Sequence, residues 1–244
     1  MYKGYAVKNS MKINYIDNQI LDSQKTPLII CPGLSEECTD YESIVKTLSD
    51  RRCVALSFRG RGNSSNADNG YTLEKHIEDI DLVVNELRLD KFCLMGYSRG
   101  VSYALGYVIS NLNKIRGLIV GEYPAEHKNM NKGWAKEQMD VYNRHDLSVS
   151  ITYDVLKSIE IDSKYKDFST DLNKVKCPTL ILKGEKEDTL LSTYDISKYI
   201  NNLGSKSIRI EKFSNSGHNI MTSELFQMII SIKNFLNYID STNL

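Results

Sequence analysis

The chain has 244 residues, 41% of them hydrophobic, which suffices for the core of one large domain or two small ones. Because 31 basic residues balance 31 acidic ones, no net field attracts nucleic acid or an anionic membrane. The N-terminus has no signal-peptide core, no apolar stretch approaches a membrane span, and the five cysteines lack zinc-ligand spacing, so we expect a cytoplasmic protein without membrane or nucleic-acid partners.

The first half of the chain alternates strand-like and helix-like segments. Short alternating runs predict a hairpin, and continuous apolar runs predict strands that are covered on both faces. Thr72 is expected to cap a long helix. The predicted elements are a hairpin of 5–7 and 11–16, strand 28–31, a helix from 39, strand 53–58, a helix from 72, strand 92–95 and a helix to about 110.

The second half continues this alternation with strands 118–120, 179–182 and 207–210, a helix at 192–199 and a C-terminal helix. We therefore predict an α/β fold, a mostly parallel central sheet with helices on both faces. Residues 123–176 interrupt the pattern, with helix-like stripes and no strand signal. They leave the sheet beyond a strand's carboxyl end, where ligands bind in such folds, so they are predicted to form a helical lid on a core of residues 1–122 and 177–244.

The pentapeptide at 96–100, Gly-Tyr-Ser-Arg-Gly, lies between a predicted strand and a predicted helix. This placement is typical of the G-x-S-x-G nucleophile elbow, a tight turn that presents a serine hydroxyl. Ser98 is therefore the candidate nucleophile. A serine hydroxyl needs a base to accept its proton, and the base needs a third group to orient it.

His218 is the candidate base among the four histidines, because its polar loop follows the last predicted strand, so that it lies at a strand's carboxyl end like Ser98. The acid is expected after the penultimate strand, where Asp188 is the first choice and Glu187 the second. Glu122, at the end of an earlier strand, is a third possibility. The order serine, acid, histidine matches a known triad arrangement.

Two backbone N–H groups can hold the oxyanion that forms when the serine attacks a carbonyl, each worth about 3 kcal/mol. Arg99 supplies one of them if it follows the nucleophile at a helix N-terminus. Leu34 can supply the other, because it follows a Pro-Gly turn after the first long buried strand.

Together these features resemble the α/β-hydrolase family, specifically its lidded, esterase-like branch, over most of the chain from Asn9 to Leu236. The segment 59–64 resembles the family's R-G-x-G-x-S turn, and Gly217-His218 matches its histidine loop. The resemblance implies Ser98 as nucleophile, His218 as base, and Leu34 and Arg99 as oxyanion donors.

The sequence departs from the family pattern at four places. Pro32 replaces the usual histidine of the oxyanion turn, Ser57 replaces an aspartate before the R-G turn, and Val101 replaces a frequent glycine after the elbow. The family's G-x-x-D acid loop selects Glu187, whereas the register of the following leucines fits Asp188.

We expect a serine hydrolase that cleaves a small carboxylic ester, thioester or lactone through an acyl-enzyme on Ser98, with a small-molecule acyl substrate and no metal or organic cofactor. Tyr97, Trp134 and Met139 are predicted pocket residues. The same triad also serves C–C bond hydrolysis and acyl transfer, some family members are non-catalytic ligand receptors, and fold and motif do not separate an esterase from a peptidase. The substrate, the pathway and the oligomeric state stay open.

Overall fold

The computed structural model describes residues 1–67 and 70–242, so positions 68–69 and 243–244 of the predicted core lie outside the description. The strands are β1 (Tyr2–Lys8), β2 (Met11–Asp17), β3 (Leu28–Cys31), β4 (Cys53–Leu56), β5 (Phe92–Tyr97), β6 (Ile115–Gly121), β7 (Glu126–His127), β8 (Lys166–Asp167), β9 (Thr179–Gly184) and β10 (Ile208–Phe213). The main sheet has eight strands in the order β1-β2-β4-β3-β5-β6-β9-β10. The first two pairings in that order are antiparallel and all others are parallel.

The helices confirm the predicted alternation. Thr72 caps α2 as expected, because its side chain accepts a hydrogen bond from Lys75 N. The helix expected from position 39 begins instead with a 3₁₀ turn, Cys38–Tyr41, which Glu37 and Asp40 close as a capping box. The α-helices are α1 (Glu42–Thr47), α2 (Leu73–Glu86), α3 (Gly100–Ser110), α4 (Trp134–Arg144), α5 (Tyr153–Asp162), α6 (Thr193–Asn202), α7 (Ile220–Ser223) and α8 (Leu225–Ser241), and further 3₁₀ turns span Leu112–Lys114 and Leu172–Lys174.

Hydrophobic cores cover both faces of the sheet, which explains why its central strands are apolar throughout. In β5, Leu94 packs into the core under α2 and α3, whereas its neighbour Met95 packs into the core under α1 and α8. This alternation follows from the two-residue period of a strand. None of the helices in the described ranges has the length and apolar character needed to cross a membrane.

The segment between β6 and β9 forms helices α4 and α5, where the sequence predicted helical stripes. It also contains β7 and β8, a two-residue antiparallel pair that the sequence did not reveal. A separate small core, which includes Ala135, Tyr142 and Val155, holds the two helices together. The Asp162 carboxylate accepts a hydrogen bond of 2.7 Å from Tyr71 N and so ties the segment to the rest of the domain.

Candidate active site

The turn that carries Ser98 is as tight as the motif predicts. Strand β5 ends at Tyr97 and α3 begins at Gly100, which leaves Ser98 with a φ of 49° in the left-handed region. A Cβ at Gly96 would lie 2.6 Å from the Val101 Cα, and one at Gly100 would collide with the Cys31 and Pro32 carbonyls. Only glycine fits at either position, so the sharp turn holds the serine at the carboxyl end of β5.

His218 meets Ser98 from the loop between β10 and α7. The distance between His218 Nε2 and Ser98 Oγ is 3.0 Å, which is a hydrogen bond. The Tyr97 hydroxyl fixes this loop by donating to the His218 carbonyl at 2.5 Å and accepting from Ile220 N at 2.9 Å. Tyr97, predicted as a pocket residue, is therefore buried beneath the histidine loop, because successive side chains of a strand point to opposite faces.

Glu122, the first residue after β6, is the carboxylate beside the imidazole. Its Oε2 lies 3.6 Å from His218 Nδ1, and its side chain is fully buried. The loop after β9 satisfies the carboxylate: Oε1 accepts from Gly184 N at 2.6 Å, and the Thr189 hydroxyl donates at 2.8 Å. A third donor from the same loop, Leu190 N, contacts Oε2 at 3.1 Å. Four groups thus surround one buried negative charge.

Asp188 and Glu187, the two acids ranked above Glu122 from the sequence, do not occupy this place. Both residues are exposed, and neither carboxylate forms an ion pair with His218, whose ion-pair contact among the described residues is Glu122. Asp188 lies against the backbone of Gly217 instead. The loop after β9, which was expected to supply the acid, therefore supplies hydrogen-bond donors to the Glu122 carboxylate.

The oxyanion turn after β3 places Leu34 beside Ser98. Among the described residues, no acceptor takes the N–H of Leu34 or that of Arg99, and both residues line the cavity at Ser98. The turn is braced by Glu36, whose Oε2 accepts from Gly33 N and from the Tyr41 hydroxyl, each at 2.6 Å. Burial raises the pKa of the Glu36 carboxyl.

A cavity of about 540 Å³, which we call the active-site cavity, opens over Ser98 and His218. Helix α4 contributes Trp134, one of the predicted pocket residues, to its wall, together with Gln138 and Tyr142. Met139, the remaining predicted pocket residue, is absent from the lining and packs instead into the small core of α4 and α5.

Behind this cavity lies the buried guanidinium of Arg99, a residue that the sequence suggested could reach the pocket rim. The Arg99 side chain donates to the Tyr103 hydroxyl at 3.1 Å, to the Ser163 hydroxyl at 2.7 Å and to the Lys128 carbonyl at 3.1 Å. It also contacts His127 Nε2 at 3.1 Å. Because a guanidinium can only donate, this nitrogen must be the unprotonated one, and burial accordingly lowers the pKa of His127 to about 3.

A second buried guanidinium, that of Arg61, is arranged in the same way. It donates to the Leu34 carbonyl at 2.9 Å and contacts His76 Nε2 at 2.9 Å. His76 Nδ1 faces the Thr72 carbonyl at 2.8 Å, so Nδ1 carries the proton and Nε2 accepts. Burial and the nearby Arg61 charge hold the pKa of His76 well below its usual value. His76 and His127 are therefore neutral acceptors for guanidinium groups.

The comparisons with known proteins agree with this geometry. A family model described as "alpha/beta hydrolase fold" matches residues 26–144. The AB hydrolase superfamily protein YisY of Bacillus subtilis (strain 168) is 22% identical, with 86% of this chain and 91% of that protein covered.

Two solved structures share the fold across nearly the whole chain. An alpha/beta hydrolase enzyme from a Medee basin deep-sea metagenome library, MGS-M2, superimposes with a TM-score of 0.82 at 17% identity over 99% of this chain and 98% of its own. The esterase EaEST from Exiguobacterium antarcticum gives a TM-score of 0.77 at 19% identity, with 96% and 98% covered. With the sheet order, the serine turn and the histidine loop described above, these similarities show that the chain has the α/β-hydrolase fold.

Proposed function

We propose that this protein is a serine hydrolase that cleaves a small carboxylic ester, thioester or lactone through an acyl-enzyme on Ser98. The observation that carries the proposal is the 3.0 Å contact between Ser98 Oγ and His218 Nε2. Glu122, on the other side of the imidazole, replaces Asp188 as the proposed acid. Support also comes from the fold shared with an esterase of known structure.

In the acylation step, the Ser98 Oγ attacks the substrate carbonyl carbon while His218 Nε2 takes the hydroxyl proton. For Nε2 to accept that proton, Nδ1 must carry the other ring proton, which then faces the Glu122 carboxylate at 3.6 Å. The imidazolium formed in this step is stabilised by the buried negative charge. His218 then returns its proton to the leaving alcohol or thiol, and the C–O or C–S bond breaks.

In the deacylation step, His218 takes a proton from water, whose oxygen attacks the acyl carbon. The bond between that carbon and Ser98 Oγ then breaks, His218 returns the proton to Oγ, and the acid is released. In both steps a tetrahedral oxyanion forms, and the free N–H groups of Leu34 and Arg99 are its proposed donors. Arg61 supports this arrangement by holding the carbonyl of Leu34 in place.

The segment 123–176 is proposed to act as a lid on the core domain. Its helix α4 supplies Trp134, Gln138 and Tyr142 to the cavity wall, so this helix limits the size of the acyl or alcohol group. A cavity of about 540 Å³ suits a small-molecule substrate better than a folded protein chain.

A fluorophosphonate probe tests the proposed nucleophile directly. We expect covalent labelling of the wild type and complete loss of labelling in Ser98→Ala, because the probe reacts with an activated serine. Turnover of 4-nitrophenyl esters of increasing acyl length, of a thioester and of a lactone then identifies the bond class and the size limit.

The matched control is Ser110→Ala, which removes a hydroxyl from the far end of the same helix α3 and should leave labelling and turnover unchanged. Labelling that persists in Ser98→Ala contradicts the assignment of the nucleophile. Labelling of the wild type without turnover of any acyl compound contradicts the hydrolase proposal and favours a ligand receptor.

A further inference from the structure

The Arg99 side chain carries a positive charge that no carboxylate of the described residues balances. It is 2% exposed, and none of the described acidic residues forms an ion pair with it. Its acceptors are neutral: a phenol, a hydroxyl, a carbonyl and an unprotonated imidazole. One nitrogen, Nη1, is buried without any hydrogen-bond partner. A buried charge in this condition is costly unless it is paired. The Nη2 of Arg61 is buried without a partner in the described part of the chain as well, but Arg61 does not line the active-site cavity, whereas Arg99 does.

Arg99 is a residue of the cavity wall, and its guanidinium lies buried behind that wall. Arg99 directly follows Ser98 in the chain, and it lines the active-site cavity together with Tyr123 and Lys128. Its hydrogen bond to the Lys128 carbonyl joins it to that wall. Burial raises the pKa of the Tyr123 hydroxyl to about 12, and the Arg99 charge opposes this rise, which places that charge near the wall as well.

The residues that line the cavity include two basic side chains, Arg99 and Lys128, and one acidic side chain, Glu36. Lys128 adds an ammonium that is partly exposed, with its side chain 44% accessible, and lies 3.6 Å from Glu126. Glu36 is the acidic residue among the lining side chains, and its Oε2 is occupied by Gly33 N and the Tyr41 hydroxyl. An anionic group in the cavity would therefore meet two cations and one engaged carboxyl.

Resting on the proposed hydrolase function, we propose that the substrate bears a carboxylate and that Arg99, assisted by Lys128, binds it. The carboxylate supplies the missing countercharge, and the hydrogen bonds to Tyr103, His127 and Ser163 hold the guanidinium in place before substrate arrives. The residue that gives its backbone N–H to the oxyanion would then give its side chain to substrate recognition.

A purely structural role for Arg99 makes a different prediction. Its bonds to Lys128 and Ser163 also tie helix α3 to the segment between β6 and β9. If that tie were its whole purpose, substitution would lower stability and overall activity but would not change the preference between charged and neutral substrates. The informative quantity is therefore the ratio of kcat/KM for matched anionic and neutral esters within each variant.

Two pairs of substrates measure this ratio. Mono-4-nitrophenyl adipate and 4-nitrophenyl adipamate differ in a carboxylate or an amide on the acyl side, and 4-acetoxybenzoate and 4-acetoxybenzamide differ in the same way on the leaving-group side. In at least one pair, kcat/KM of the wild type should be about tenfold or more higher for the anionic ester than for the neutral one. A ratio of this size corresponds to the free energy of a hydrogen bond to a charged group. The preference should decrease with added sodium chloride.

Variants locate the source of the preference. Arg99→Met should reduce the ratio to about one, Arg99→Lys should restore part of it, and Lys128→Met should reduce it by a smaller factor. Arg116→Met is the control, because Arg116 lies at the start of β6, at the opposite end of the sheet from the cavity, and should keep the wild-type ratio. Equal rates on both members of both pairs in the wild type overturn the proposal while leaving the hydrolase function intact.

A binding measurement keeps the proposal testable if no ester is turned over or if Arg99→Met does not fold. In Ser98→Ala, adipate should raise the Tm in proportion to the logarithm of its concentration, whereas adipamide should not. The rise should be smaller when Arg99→Lys and Lys128→Met are combined with Ser98→Ala. Absence of stabilisation by adipate overturns the carboxylate site, and stabilisation without any ester turnover supports the site but contradicts the hydrolase function.

Discussion

Ser98 lies between two buried charges that the protein stabilises in opposite ways. On one side, the Glu122 carboxylate accepts hydrogen bonds from three groups of the loop after β9 and faces an imidazole at 3.6 Å. On the other side, the Arg99 guanidinium has only neutral acceptors and one nitrogen without a partner. The protein therefore supplies hydrogen-bond donors and an imidazole to the carboxylate, whereas it leaves one nitrogen of the guanidinium without a partner among the described residues.

The two proposals give each buried charge a different partner: the reaction supplies one, and the ligand supplies the other. In the proposed mechanism His218 takes the serine proton, and the imidazolium that forms is the counterion of Glu122 during turnover. His127, whose imidazole contacts Arg99, cannot act as a counterion for the guanidinium, because burial keeps His127 neutral. The proposed substrate carboxylate would supply the countercharge instead.

The largest expected effect comes from removing the negative charge at Glu122. Glu122→Gln keeps the side chain's shape but removes its negative charge and replaces one carboxylate oxygen by an NH₂ group. The Gly184 N–H and the Thr189 hydroxyl both donate to this side chain, so the amide accepts fewer hydrogen bonds than the carboxylate. We expect kcat for a 4-nitrophenyl ester to fall about 10³- to 10⁴-fold, as for other triads that lose the charge of the acid. Asp188→Asn should change kcat less than about threefold, because an exposed carboxylate is screened by water.

Comparing Glu122→Gln with Asp188→Asn decides which of the two residues is the triad acid, because each substitution replaces one carboxylate by its amide. Thermal unfolding of both variants shows whether the protein is still folded. Glu187→Gln serves as a further exposed control. Should Asp188→Asn lose as much rate as Glu122→Gln, the carboxylate after β9 would be the triad acid and the comparison drawn above would be wrong.

The sequence could predict the residues whose signals are local. The elbow at 96–100 follows from glycine spacing between a strand and a helix, and His218 follows from its loop after the last strand. The antiparallel hairpin, the parallel strands and the helical segment before β9 follow from hydrophobic periodicity. These features depend on near neighbours in the chain, so one sequence is enough to find them.

The acid could not be chosen in this way, because its role depends on contacts between loops. Asp188 and Glu122 each follow a strand of the same sheet, and only the structure shows that Glu122 is the buried one. A usable signal was nonetheless present: Glu122 directly follows an apolar strand, whereas Asp188 ends a run of charged residues typical of a solvated loop. The pairing of Arg99 with His127 has no local signal at all.

A smaller effect is expected from removing one hydrogen-bond donor of Glu122 while leaving Glu122 itself unchanged. Thr189→Val removes the hydroxyl that donates to Glu122 at 2.8 and 2.9 Å and leaves a buried carboxylate with fewer donors. Unfolding free energy should fall by about 1.5–3 kcal/mol, the range for a hydrogen bond to a charged group. Loss of orientation should lower kcat about tenfold with little change in KM.

Thr189→Ser keeps the hydroxyl and is the control, so it should retain most of the stability and rate. Chemical denaturation measures the first quantity and ester kinetics the second. An unchanged kcat in Thr189→Val would mean that the backbone donors Gly184 and Leu190 alone hold the carboxylate in place.

The guanidinium side of the comparison is tested by the pH dependence of stability. The pKa of His127 is about 3 in the folded protein, well below the roughly 6.5 of an imidazole in water, because burial disfavours its charged form. Between these two pH values, His127 is protonated in the unfolded chain and neutral in the folded protein. The stability that neutral His127 allows is therefore fully present above about pH 6.5 and is lost as the pH falls toward 3, by about 1.4 kcal/mol per pH unit.

His127→Gln removes this proton while leaving an amide oxygen that can accept from Arg99 in place of the imidazole nitrogen. We expect its unfolding free energy to fall less steeply between pH 6 and pH 4 than that of the wild type, with a difference in slope of about 1.4 kcal/mol per pH unit. Urea denaturation at several pH values measures the slope. His145→Gln, which removes an exposed imidazole, should keep the wild-type slope. Parallel slopes for wild type and His127→Gln would show that the folded protein accepts a proton at His127, and Arg99 would then lie beside a second positive charge rather than a neutral acceptor.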